Sequence, residues 1–127
     1  MLGLFGLFGR SRELERLNQA LRAVGLHPHT VPDAVKLATL RQLKESQGDG
    51  APGPGVCSAA AALLGYCMLG RQAFTECNGA TEAEAVEGRL MAAIEAGDSA
   101  DARLVLLSLH AGVIEAGVVE RYQLAVE

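Results

Sequence analysis

The chain has 127 residues, a mass of 13.3 kDa and a formal charge of −4, from 11 basic and 15 acidic side chains. That length fits one domain over residues 1–127. A hydrophobic content of 50% with so small a charge excludes a disordered chain, and the acidity argues against a nucleic-acid module.

Two Tyr, three Phe and no Trp leave the core to Leu, Val, Met and Ala. Ala and Leu favour helix, whereas strand-rich proteins lean on Val, Ile, Thr and aromatics. The sequence therefore predicts an all-α fold: a compact bundle of five or six helices with a central apolar helix.

The first nine residues, MLGLFGLFG, place a glycine at every third position between pairs of large apolar residues. Each interior glycine costs a helix about 1 kcal/mol relative to Ala, so the segment has weak helicity of its own. Nothing positive precedes it and no small-residue cleavage site follows, so it does not read as a signal peptide. It is also far too short to span a bilayer.

A first helix is predicted from Arg12 to Val24. Ser11 is its cap, and Leu14, Leu17, Leu21 and Val24 form its apolar stripe. Gly25 ends it, with Leu26 folding back and Pro28 preventing resumption. Thr30-Val31-Pro32-Asp33 then signals a second helix running to about Lys44. Lys36, Arg41, Gln42 and Lys44 are expected on its solvated side. Residues 46–55, SQGDGAPGPG, form an intradomain loop. Charge divides across this region: residues 1–50 carry seven basic and five acidic side chains, residues 51–127 four and ten.

A third helix is predicted from Ser58 to Glu76. It is apolar on every side for most of its length, which is the pattern of a central buried helix. Leu63, Leu64, Cys67 and Met68 are expected to be shielded from water. Asn78-Gly79 closes it. Thr81-Glu82-Ala83-Glu84 matches a capping box and starts a fourth helix, with Val86, Leu90, Ala93 and Ile94 buried. Gly97 ends this helix, and Asp98 or Ser99 caps a fifth from Ala100 to Ala111, whose dense apolar run implies burial on more than one side. Gly112 stops it. Residues 113–127 read as a short helix with Val118, Tyr122 and Ala125 on one face. The alternation of Tyr122, Leu124 and Val126 with polar neighbours also allows an extended end.

Little of this sequence carries chemistry. Cys57, Cys67 and Cys77 are odd in number and contain no C-x-x-C pair, which predicts reduced thiols and a cytoplasmic location. Gly55, Cys57 and Ser58, at the start of the third helix after a glycine-rich stretch, form a candidate ligand site. A helix N-terminus attracts anions and lowers a thiol pKa, so Cys57 is expected to react before Cys67. The stretch is neither a dinucleotide fingerprint nor a P-loop. His27-Pro28-His29 lacks further metal ligands, and His110 suits a helix C-terminus. Glu82, Glu84 and Glu87 suit a helix N-terminus. No metal or other cofactor is expected.

The strongest departure from a bland domain is Leu2, Leu4, Phe5, Leu7 and Phe8. These residues either fold into the core, form an interface, or meet a membrane surface beside the following arginines. The leading expectation is a non-enzymatic interaction or assembly module, self-associating as a dimer through the N-terminal segment or the tail, with a further protein partner possible. A ligand binder or thiol-dependent enzyme at Cys57, and a peripheral membrane adaptor, are the alternatives.

Overall fold

A computed structural model of the chain describes residues 2–47 and 53–124, and their side chains except at residues 2–11, 46, 47 and 54. Among the described residues the structure is all helical. Seven α-helices, one or two more than the sequence predicts, are α1 (Leu2–Ala23), α2 (Asp33–Gln47), α3 (Pro54–Leu69), α4 (Arg71–Asn78), α5 (Ala80–Ala96), α6 (Ala100–Ala111) and α7 (Ala116–Tyr122). A 3-10 turn, Pro28–Thr30, lies between the first two.

Helix α3 is the centre, as its lack of a polar face predicts. Every residue from 60 to 67 is buried, and α3 packs against α1, α2, α4, α5 and α6. Its two sides serve two apolar clusters. Ala61 and Leu64 join Leu17, Leu21, Leu26, Val31, Val35 and Leu40 of the N-terminal half. Leu63, Tyr66 and Cys67 join Phe74, Val86, Leu90, Leu104 and Val118 of the C-terminal half. Leu63, Leu64 and Cys67 are buried as expected, whereas Met68 is only partly so.

The observed helix boundaries differ from the predicted ones at several places; α2 runs on to Gln47 and α3 begins at Pro54 rather than Ser58, so both reach into the predicted loop of residues 46–55, where Pro54 suits the first turn of a helix. Helix α1 begins at Leu2 rather than near Ser11. Extending an established helix needs no new nucleus, so isolated glycine penalties do not stop it. The predicted third helix is two, because Gly70 adopts φ 90° and ψ 165°, a conformation essentially reserved for glycine. The chain folds back there. A straight helix would separate residues 66 and 74 by about 12 Å along its axis, but the Tyr66 and Phe74 rings meet edge to face at 5.7 Å. Gly79 repeats the conformation at the α4–α5 junction and is itself the N-cap of α5, so the Thr81 capping box does not form. Thr30 does not cap α2 either: its hydroxyl donates to the carbonyl of His27.

Other signals are realised. Leu26 N donates to Leu21 O and Gly25 N to Arg22 O, the predicted fold-back at the end of α1. Ser99 accepts from Ala102 N at the start of α6, and Gly97 and Gly112 terminate α5 and α6. The tail is helical over Ala116–Tyr122, with Leu124 N closing on Val119 O, so the extended alternative does not hold there. Ala125 and Val126 lie outside the described residues.

Candidate functional site

The predicted ligand residues at the start of α3 do not share one site. Gly55 and Ser58 are exposed, whereas Cys57 is 2% exposed and turned into the core. Burial pushes its thiol up; Arg16 opposes that shift and Glu13 adds to it. The activated, first-reacting Cys57 is thus corrected: desolvation outweighs any help from the helix terminus. Gly55 lines a cavity of about 300 Å³ with Val56, Leu43, Leu104 and the Arg89–Asp101 pair. The guanidinium there is already engaged, donating to both Asp101 carboxylate oxygens at 3.2 and 3.0 Å and to Ala59 O at 2.9 Å. Cys67 is buried and pushed up to about 12 by desolvation. The accessible thiol is Cys77.

The histidines stay apart from any ligand set. His27 and His29 stack at 5.0 Å, and His29 N donates to His27 Nδ1. Among the described residues, no group of three or more His, Cys, Asp or Glu is placed to hold a metal ion. No helix of the described residues is long and apolar enough to cross a membrane.

A polar cluster that sequence reasoning missed lies where α3, α4, α5 and α7 meet. Glu87 Oε2 accepts from Tyr66 Oη and from Arg71 Nε, both at 2.7 Å, and Arg121 stands 3.7 Å away. Tyr66 Oη is 3.1 Å from Tyr122 Oη. A hydroxyl has one proton, and that of Tyr66 goes to Glu87, so Tyr122 donates to Tyr66. Burial disfavours the Glu87 carboxylate, but the Tyr66 and Arg71 hydrogen bonds and both arginine charges outweigh it and hold its pKa below the usual 4.5. Burial and the same contacts push Tyr66 well above the ordinary tyrosine range. An open pocket of about 510 Å³ lies alongside, lined by Arg71, Arg121, Glu76 and Glu115. General acid–base work wants groups that titrate near the operating pH. Here the acid is too strong and the phenol too weak, so the cluster fits a fastening between helices better than a catalytic centre. Its signal in the sequence was positional: Glu87 falls on the stripe of Ala83, Val86, Leu90 and Ala93, the buried face of α5.

Lys36 is the matching case on α2. Predicted on the solvated side, it is 5% exposed, beside Val35, Thr39 and Leu40 on the buried face. Its stem is covered and its ammonium donates to Asn18 Oδ1 at 3.3 Å.

Two leucine-type expectations fail in the opposite direction, and they fail together. Ile94 and Leu106, predicted buried, are 40% and 45% exposed. Both line a groove of about 290 Å³ between α5, α6 and the end of α7, along with Ala93, Val105, Leu109 and Leu124. Met91, one turn before Ile94, is also exposed.

The side chains of Leu2, Leu4, Phe5, Leu7 and Phe8 lie outside the described residues, but the helix that carries them is placed by its register. Helix α1 runs antiparallel to α2, with Asn18 beside Lys36 and Glu13 paired to Lys44 at 2.9 Å. It runs parallel to α3, since Val24 faces Gly65 while Glu13 and Arg16 act on Cys57. Helix α3 begins three residues before Cys57, and α2 ends three residues after Lys44. Residues 2–9 therefore carry α1 past the described ends of both neighbours, by about 12 Å at 1.5 Å per residue.

No family model matches the chain, and neither a curated protein nor a solved structure is found to match it.

Proposed function

We propose that the protein is a non-enzymatic helical assembly module that works as a two-fold dimer, with residues 2–8 as its self-association element. The observation that carries this reading is the extension of α1 beyond α2 and α3, in the stretch where the sequence concentrates three Leu and two Phe. Large apolar residues on a helix that outruns its neighbours favour a partner surface. A two-fold pair is the commonest closed assembly. The locked ionisation of Glu87 and Tyr66 and the burial of two of the three thiols support a scaffold over a catalyst. We place the module in the cytoplasm, where its unpaired cysteines stay reduced.

Deleting residues 2–9 and measuring mass by light scattering tests this. The expected result is a fall from dimer to monomer with the far-ultraviolet helical signal retained. A deletion variant that keeps the dimer removes the self-association role from this segment, and one that loses its fold assigns the segment to the core.

A further inference from the structure

We infer that the groove between α5, α6 and the end of α7 is the receptor for residues 2–8 of a second copy of this chain, each protomer placing its extended α1 in the other's groove. This rests on the proposed self-association and names the surface that receives it.

The groove has the chemistry such a segment needs. Ile94, Leu106, Leu109 and Leu124 give it an apolar floor, and two of these are at least 40% exposed in the single chain. An apolar helix lying in an apolar groove is a recurrent mode of recognition. The charges agree as well. Around the groove the exposed acids Glu95, Asp98 and Glu120 outnumber the exposed bases Arg103 and Arg121, while Arg10 and Arg12 immediately follow the apolar segment. On a larger scale, residues 1–50 carry a net charge of about +2 and residues 51–127 about −6, so reciprocal docking sets basic against acidic halves. The area is also of the right order. A buried Phe contributes about 150–250 Å². Four of them in a reciprocal pair supply on the order of half the roughly 1,600 Å² of a standard interface.

The test compares four full-length proteins by light scattering and circular dichroism: the natural chain, Leu106→Arg, Ile94→Glu, and Leu37→Arg. Leu37 is an equally exposed leucine on α2, outside the groove. The inference expects dimers of the natural chain and Leu37→Arg, and at least a tenfold weaker dimer for both groove variants. Groove variants that stay dimeric while deletion of residues 2–9 gives a monomer would overturn the groove assignment and leave the assembly role standing. A natural chain that is monomeric overturns both. If a groove variant loses its helical signal, hydrogen exchange on the natural chain decides. Protection at residues 93–97 and 102–109 that grows with concentration supports the groove, and protection independent of concentration contradicts it.

Discussion

At the scale of residues, Glu87 gathers one phenol and two guanidiniums around a single carboxylate oxygen. Its folded pKa lies below the ordinary 4.5, so the unfolded chain binds more protons between the two values. Its contribution to stability is therefore complete above about pH 4.5 and is lost as pH falls through the lower folded value. Glu87→Gln should cost about 1.5–3 kcal/mol near neutral pH, the range for hydrogen bonds to a charged group, and should flatten the acid limb of stability against pH. Denaturant melts from pH 7 to pH 3 check this; parallel profiles for the two proteins would contradict it. The thiols give a second residue-scale prediction. Cys77 should label first with a thiol probe, and Cys57 and Cys67 should wait for local opening. Fast labelling of Cys57 in the folded protein would place its side chain outside the core. Neither result was legible from residue identity. Lys36 read as solvated and Glu87 as a helix N-terminal acid until the faces of α2 and α5 were drawn, and Cys57 was judged by its position along the helix rather than by the face it occupies.

At the scale of elements, apolar periodicity located the helices, while backbone conformation determined where one of them breaks. The stripe of Leu17, Leu21 and Val24, the unbroken apolar run of α3 and the Ser99 cap of α6 were all readable, because each rests on a pattern within a single helix. The fold-back at Gly70 was not, since a lone glycine in a helical run costs little and usually passes unnoticed. Its φ of 90° makes it testable. Gly70→Ala puts a side chain into a region that costs about 1–3 kcal/mol, and the added Cβ would meet the Glu115 side chain at 2.9 Å. The variant should melt at correspondingly lower denaturant concentration, whereas Gly88→Ala, in the open middle of α5, should not destabilise. An unchanged midpoint for Gly70→Ala would mean that α3 and α4 can join as one helix. The fold-back matters for the polar cluster, because it brings Arg71 to Glu87 and sets Phe74 edge to face against Tyr66.

At the scale of the whole molecule, α3 divides two apolar clusters, and the Glu87 network fastens α7 to the second of them. A bundle held in this way leaves two apolar features over: the extension of α1 and the groove formed by Ile94 and Leu106. The extension was visible in the sequence as its densest apolar segment. The groove was not, because it forms from three helices whose relative placement no local pattern encodes. The account's central claim is that these features meet between two copies. Sedimentation equilibrium of the intact protein over a range of concentrations tests it most directly. The account predicts a mass approaching twice 13.3 kDa at high concentration and falling toward 13.3 kDa on dilution. A mass that stays at 13.3 kDa at every concentration would contradict it.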